Sequence, residues 1–272
     1  MALTTNDFEY ISRIVKERSA IVLEKGKEYL VESRLQPLAQ KEGFGSIEEL
    51  VRKMIQDKFH PAHDMVIEAM TTNETSFFRD VHPFNTLKQY IIPEMMEKRK
   101  TSRTLNIWCG ASSSGQEPYS VAMLLKENFP ELMNWDVSYI ATDISEEMLT
   151  RCKDGYYSQL EINRGLPANM MVKYFERDGA HWRIIEDIRN FVEFKYLNLC
   201  ESWPYMPKLD IVMLRNVLIY FDVETKRNIL SKIKALLRPD GYLFLGAAET
   251  TLNLDDSFER MDFKQSGCYR IK

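Results

Sequence analysis

Two rhythms of apolar and polar positions divide the chain. Over the first 70 residues apolar side chains recur at the spacing of one helix face: Phe8, Ile11, Ile14 and Val15 in one stretch, Leu50, Met54 and Ile55 in another. Between them Glu42-Gly43-Phe44-Gly45-Ser46 is a turn signal. Ser46 is placed to cap the next helix, with Glu49 three residues on as its capping-box partner. No alternating strand stands out, so a small all-helical domain is expected over residues 1–70. After about residue 104 short apolar runs alternate with amphipathic stretches, the rhythm of a parallel α/β sheet. The runs cover 104–109, 137–142, 191–197, 210–214 and 242–246. Helices are predicted at 117–128, 146–153 and 223–237, the last closed by Pro239-Asp240-Gly241. Residues 263–271 alternate without a long helix before them and predict an antiparallel edge strand.

Two stretches break this rhythm. Residues 71–103 read as a connector holding Pro83, Pro93 and a basic cluster, Lys98-Arg99-Lys100, expected as a solvated linker face. From about 170 to 194, Val172-Lys173-Tyr174-Phe175-Glu176-Arg177, then Asp178-Gly179, then Trp182-Arg183-Ile184-Ile185, predict a small antiparallel hairpin inserted into a sheet domain spanning 104–272.

Composition narrows the class. The 272 residues are 44% hydrophobic and 28% charged with net charge −4, enough for one or two domains with a real core and unlike a disordered chain. The longest apolar runs, such as 217–221, are far short of the roughly 20 residues of a membrane helix. The first residues carry no basic start or apolar stretch of a signal peptide. Cys109, Cys152, Cys200 and Cys268 stand far apart without Cys-x-x-Cys or histidines at metal spacing, so a reducing cytoplasm and no metal site are expected. Mild acidity argues against a general nucleic-acid binder but allows a local basic patch.

The segment 105–120 carries the first candidate chemistry. A strand enters the small-residue turn Gly110-Ala111-Ser112-Ser113-Ser114-Gly115 and leaves as a helix, bringing backbone N–H groups and a helix N-terminus against a ligand. Gly110 is thereby a candidate ligand-binding residue. No Lys follows Gly115 and G-x-G-x-x-G is not matched, so phosphate binding is poorly supported. The alternative is a tight turn with Ser114 capping the helix and Glu117 closing a capping box. The second strand ends at Asp143, placed to accept hydrogen bonds from ribose hydroxyls. Asp143 with Glu146 is also a capping-box pattern, and both readings stand at this level.

Five segments in order carry a resemblance. They are Thr72-Asn73-Glu74-Thr75-Ser76-Phe77-Phe78-Arg79-Asp80, the turn ending Gly115-Gln116-Glu117-Pro118-Tyr119-Ser120, Ala141-Thr142-Asp143-Ile144-Ser145, Leu214-Arg215-Asn216-Val217-Leu218-Ile219-Tyr220-Phe221, and Arg238-Pro239-Asp240-Gly241-Tyr242-Leu243-Phe244. Together they closely resemble the CheR family of chemotaxis receptor methyltransferases, over nearly the whole chain. The resemblance implies a Rossmann-like S-adenosylmethionine-dependent methyltransferase sheet with an inserted small antiparallel β subdomain, preceded by a small all-α domain. It implies methyl esterification of glutamate side chains on the cytoplasmic helices of transmembrane chemoreceptors, with S-adenosylhomocysteine as product and neither nucleic acid nor membrane insertion involved. The family's cofactor residues fall on Asn73, Thr75 and Arg79 in the connector, Glu117, Asp143, Asn198 and Leu199, and Arg215 and Asn216. Arg79 suits the cofactor's own carboxylate through bidentate pairing, while Phe77 and Phe78 read as core or adenosine-packing residues.

An ionised glutamate is already a nucleophile. Catalysis is then expected to be mostly positioning and partial desolvation, with no single catalytic side chain and Tyr220 as a candidate for orienting the substrate. Arg34, Lys41, Arg52 and Lys53 are candidates for a basic docking face on the helical domain. Relatives that grip a receptor's C-terminal tether carry a longer glycine-containing loop in the β insertion, and the turn at Asp178-Gly179-Ala180-His181 is short, so tether-independent recognition is expected. Two rival readings compete. Base or glutamine N-methylation would show an Asn/Asp-Pro-Pro-Tyr motif where this chain has Leu214-Arg215-Asn216-Val217, and cytosine chemistry a Pro-Cys that is lacking. A non-catalytic cofactor-binding regulator stays open.

Overall fold

The structure is a computed structural model that describes residues 3–263 and 265–272. Helices α1 (Thr5–Ser19), α2 (Glu28–Lys41), α3 (Ile47–Gln56) and α4 (Ala62–Met70) close on one apolar cluster that buries Phe8, Ile11, Val15, Leu35, Leu50, Met54 and Val66. Ile55, expected on the same face as Met54, is exposed instead. Ser46 caps α3 by accepting the Glu49 N–H, but the Glu49 carboxylate reaches past it to the Gly45 N–H at 2.7 Å, so the reciprocal box does not close.

Residues 71–103 are not a solvated linker. Helix α5 (His82–Thr86) passes through a π-helical turn (Leu87–Ile91) into α6 (Ile92–Lys98), and Phe84, Leu87, Ile91, Ile92 and Met95 are buried in the core of the sheet domain. Their spacing is a helix stripe. Pro83 and Pro93, the apparent linker signals, sit in the first turns of the two helices, where proline is tolerated. Arg99, from the supposed solvated cluster, is 15% exposed and bridges Asp210 at 2.9 Å and Asp240 at 2.7 Å.

The rest of the chain runs β1 (Thr104–Gly110), α7 (Gln116–Asn128), β2 (Asp136–Asp143), α8 (Glu146–Asp154), β3 (Tyr156–Ser158), α9 (Gln159–Asn163), α10 (Ala168–Tyr174), β4 (Phe175–Asp178), β5 (His181–Ile184), α11 (Glu186–Arg189), β6 (Glu193–Tyr196), β7 (Leu209–Leu214), α12 (Val223–Leu236), β8 (Leu237–Leu245), β9 (Phe258–Arg260) and β10 (Gly267–Ile271). A seven-stranded sheet has the order β6-β2-β1-β7-β8-β10-β9. Its first five strands are parallel, and β10 runs antiparallel to both of its neighbours, β8 and β9. The order reverses between β1 and β7, and such a switch point is where open α/β sheets bind ligands at the carboxyl ends of their strands.

Three expectations change here. Strand β10 is antiparallel as expected but not the edge, because β9 pairs on its outer side. Helix α12 is not closed by Pro239-Asp240-Gly241: β8 starts at Leu237, and those residues fall in a register jump between the pairs Leu209↔Leu237 and Ile211↔Tyr242. The inserted subdomain is a three-stranded antiparallel sheet, β3-β5-β4, and not a lone hairpin. Its third strand comes from before α9, and Val172 to Tyr174, expected as strand, finish helix α10. The predicted turn does form, with Asp178 paired to His181 and Gly179 at φ +58° in a two-residue loop. Among the described residues no helix is long and apolar enough to cross a membrane.

Candidate active site

The turn after β1 is built by backbone conformations that side chains rarely adopt. Ala111 and Ser113 hold φ +55° and +50°, and Gly115 at φ +92° is the N-cap of α7. The capping alternative is not formed: the Ser114 hydroxyl donates to Gln116 Oε1 at 2.8 Å, and Gly115 brings no side chain to the helix end. The Ser113 hydroxyl donates to the Asn73 carbonyl at 2.7 Å and so ties the turn to the connector. A Cβ at Gly110 would stand 2.7 Å from Leu214 Cδ1 and 3.0 Å from the Trp108 ring, so the glycine lets β1 approach β7 closely.

Asp143 is buried at the end of β2. Its Oδ2 accepts the Ser113 N–H at 2.7 Å and its Oδ1 the Ser145 N–H at 2.9 Å. Burial pushes its pKa up while these backbone hydrogen bonds pull it down, and burial prevails. The cap of α8 is Ser145, which accepts the Met148 N–H at 3.0 Å, so the reading of Asp143 as that helix cap is set aside. Its carboxylate instead joins two turns at the floor of a cleft.

Behind β7 lies a charged cluster. Arg215 has 1% of its side chain exposed. It pairs with Glu117, reaches Asp80 Oδ2 at 2.7 Å and the Arg79 carbonyl at 3.0 Å, and stands over the Phe84 ring. Among the described residues its Nε has no hydrogen-bond partner. Its contacts hold a strained turn in which Phe78, Asp80 and Val81 have φ +47°, +66° and +46°. Within that turn the Arg79 guanidinium donates to the Glu74 carbonyl at 3.0 Å. Asn216, at φ +59°, donates its N–H to Glu249 at 2.8 Å, and the same buried carboxylate accepts from Gly246 at 2.6 Å and Ile219 at 3.3 Å. Glu249 thus shapes the whole segment after β7, and no local motif marks it. Gly246 is three residues away in sequence, but Asn216 and Ile219 lie 33 and 30 residues away.

These parts surround one cleft, open to solvent on one side, with an empty volume of about 870 Å³. Asn73, Thr75, Arg79, Glu117, Asp143, Asn198, Leu199, Arg215, Asn216 and Tyr220 all line it. Ser19 and Ile21, which the helical domain contributes, and an apolar wall of Ile144, Leu197, Val217 and Phe221 also line it, and no local sequence motif marks them. Asn198 explains the first pair: its amide donates to the Arg18 carbonyl at 2.7 Å and latches the end of α1 onto the sheet. The Val22 N–H adds a bond to the Tyr220 carbonyl at 2.9 Å.

The candidate docking residues separate. Arg34 is not free for a partner. Its guanidinium donates to the carbonyls of Met70 and Thr71 at 2.8 and 2.7 Å and to the Thr72 hydroxyl, closing the end of α4. Arg52 is exposed and pairs with Glu48, and Lys53 and Lys41 are exposed.

Comparison with known proteins decides the family. Residues 6–71 match the CheR methyltransferase all-alpha domain, and residues 73–266 match the CheR methyltransferase SAM binding domain. The chain belongs to the CheR methyltransferase family. It is 43% identical to chemotaxis protein methyltransferase 1 of Pseudomonas aeruginosa, with 100% of both chains covered. It is 40% identical to a chemotaxis protein methyltransferase of Pseudomonas putida, over 98% of each chain. With a chemotaxis protein methyltransferase of Vibrio parahaemolyticus it shares 39% identity over 100% of this chain and 99% of the other.

The cofactor of this CheR methyltransferase is S-adenosylmethionine, and the cleft fits it. A buried carboxylate faces the cleft with acceptor capacity left over, as a ligand diol requires. The apolar wall suits a nucleobase, and the unpartnered Arg215 Nε is a buried donor at the same cavity.

Proposed function

We propose that this chain transfers the methyl group of S-adenosylmethionine to glutamate side-chain carboxylates on the cytoplasmic helices of transmembrane chemoreceptors, acting in the cytoplasm. One observation carries the reading: both domains align end to end with chemotaxis protein methyltransferases, and both wall the same cleft.

The chemistry sets modest demands on the protein. A glutamate of pKa about 4.3 is ionised at neutral pH, so no proton has to be removed. When bound, S-adenosylmethionine supplies a methyl group on a sulfonium, which departs as neutral S-adenosylhomocysteine. The chain's own residues bind, orient and exclude water. Asp143 accepts hydrogen bonds from the ribose hydroxyls, and Arg79 pairs with the ligand's carboxylate. Asn73 and Thr75 close the connector side. Arg215 neutralises Glu117 and locks the 78–81 turn, while Asn198 and Leu199 form the side that meets the helical domain. Tyr220, half-buried at the cleft, orients the incoming carboxylate.

Exposed Arg52 and Lys53 on α3 steer the acidic receptor toward the cleft. The two-residue loop Gly179-Ala180 supports recognition without a C-terminal tether, and calorimetry with a receptor's C-terminal pentapeptide tests this: robust binding refutes it. The function itself is tested with labelled S-adenosylmethionine and receptor-bearing membranes. Base-labile carboxyl methylation is expected. Cofactor binding without transfer overturns the reading in favour of a regulator, and base-stable methylation in favour of another acceptor.

A further inference from the structure

A second depression lies behind the wall of the cofactor cleft. That wall is the segment after β7, whose single 3-10 turn (Leu218–Tyr220) has two faces: Tyr220 lines the cleft, whereas Leu218 and Ile219 line the depression. The first turns of α12 and residues 248–254 complete a groove with an empty volume of about 870 Å³. Three aliphatic side chains in it are left open to water, Ile219 at 48%, Val223 at 50% and Leu252 at 69% exposure. Single exposed aliphatics are ordinary on a protein surface; here three of them border one groove.

Charge narrows the occupant. Lys226 and Arg227 border the groove on α12, and Arg227 is braced by one bond to the Asn253 carbonyl at 3.1 Å. The one acid in the lining, Glu249, is buried with its carboxylate engaged by three backbone N–H groups. The charge that the groove offers to a partner is therefore positive, on a chain whose net charge is −4. An apolar floor with a basic border, sharing a wall with the cofactor cleft, matches an amphipathic acidic helix laid in a groove.

We propose that this groove receives the apolar stripe of the receptor helix carrying the methylated glutamates, with that helix's acidic side chains against Lys226 and Arg227. Docking here presents the reacting glutamate over the wall formed by Leu218–Tyr220. The proposal rests on the reading that the acceptor is a chemoreceptor helix, and it assigns substrate recognition to the sheet domain as well as to the helical one.

The test uses the full chain, receptor-bearing membranes and two variants in the groove, Leu252→Glu and Lys226→Gln. The KM for receptor is expected to rise about tenfold in Leu252→Glu, with kcat at saturating receptor and the calorimetric affinity for S-adenosylmethionine unchanged. Lys226→Gln is expected to raise KM at low salt and to converge on wild type as salt screens the pair. A photo-crosslinker at position 252 is expected to capture the receptor. Unchanged KM in both variants while the wild type transfers methyl groups overturns the inference and leaves the function standing. A crosslink between two copies of this chain overturns it in favour of a dimer interface. A wild-type chain that forms no base-labile ester overturns the function and the inference together.

Discussion

Asp143 combines burial, hydrogen bonding and recognition in one side chain. Its folded-state pKa is raised by burial, so its contribution favours the folded chain at low pH and is lost as pH rises through that raised value. Hydroxyl donors from a ligand offset the cost of burying its ionised form. Asp143→Ala is expected to weaken S-adenosylmethionine binding by about 1–3 kcal/mol with the fold retained, measured by calorimetry and circular dichroism. Unchanged affinity would sink the ribose assignment. Glu249 acts at the same scale without touching the cofactor cleft. Glu249→Ala leaves the N–H groups of Asn216, Ile219 and Gly246 without their acceptor. It is expected to lower stability by about 1–3 kcal/mol in urea unfolding and to weaken cofactor binding through Asn216, with Glu249→Gln restoring part of both. A stability loss without a change in affinity would separate Glu249 from the site. Asp143 was legible because it ends a strand beside a small-residue turn. Glu249 was not, because nothing near it in sequence marks a carboxylate folded back onto a loop thirty residues earlier.

Elements join through their ends. Asp222 caps α12 by accepting the Thr225 N–H at 2.9 Å and also pairs with Lys16 of α1 at 2.9 Å, so one carboxylate serves a helix end and a domain contact. These hydrogen bonds hold its pKa down at about 2. A depressed folded-state pKa stabilises above the unfolded value and loses that contribution as pH falls through the folded one. Asp222→Ala is expected to destabilise the chain by about 1 kcal/mol at neutral pH. The difference from wild type is expected to shrink as pH falls from about 4 towards 2, followed by thermal unfolding across pH. A difference that is constant with pH would assign the loss to packing. At this scale the βα rhythm was legible because buried strands and amphipathic helices repeat over a few residues. The segment 82–98 was misread because its prolines look like linker punctuation, although a proline in a helix's first turn leaves the following stripe intact. The third strand of the inserted sheet, Tyr156–Ser158, is too short to show a period.

In the whole molecule the two domains share the cleft. Ser19 and Ile21 reach it from the helical side, held by the bonds of Asn198 to the Arg18 carbonyl and of the Val22 N–H to the Tyr220 carbonyl. Ligand binding is therefore expected to protect both domains. Hydrogen exchange at the Val22 amide should slow when S-adenosylhomocysteine is added, together with Ser113 and Ser145. Protection confined to residues after 71 would show the helical domain to be a bystander at the cofactor site.

By itself the sequence determined the succession of elements, the small-residue turn, the acid at the end of the second strand and the five segments shared with the family. All of these are carried by neighbours along the chain. Only the tertiary structure decided that Gly110 serves strand packing, that Arg34 is engaged in closing α4, that Arg99 bridges Asp210 and Asp240 and that Glu249 and the end of α1 shape the site. Each depends on partners that meet only after the sheet has formed and the helical domain has docked, and a side chain's burial and charge environment are set by those partners.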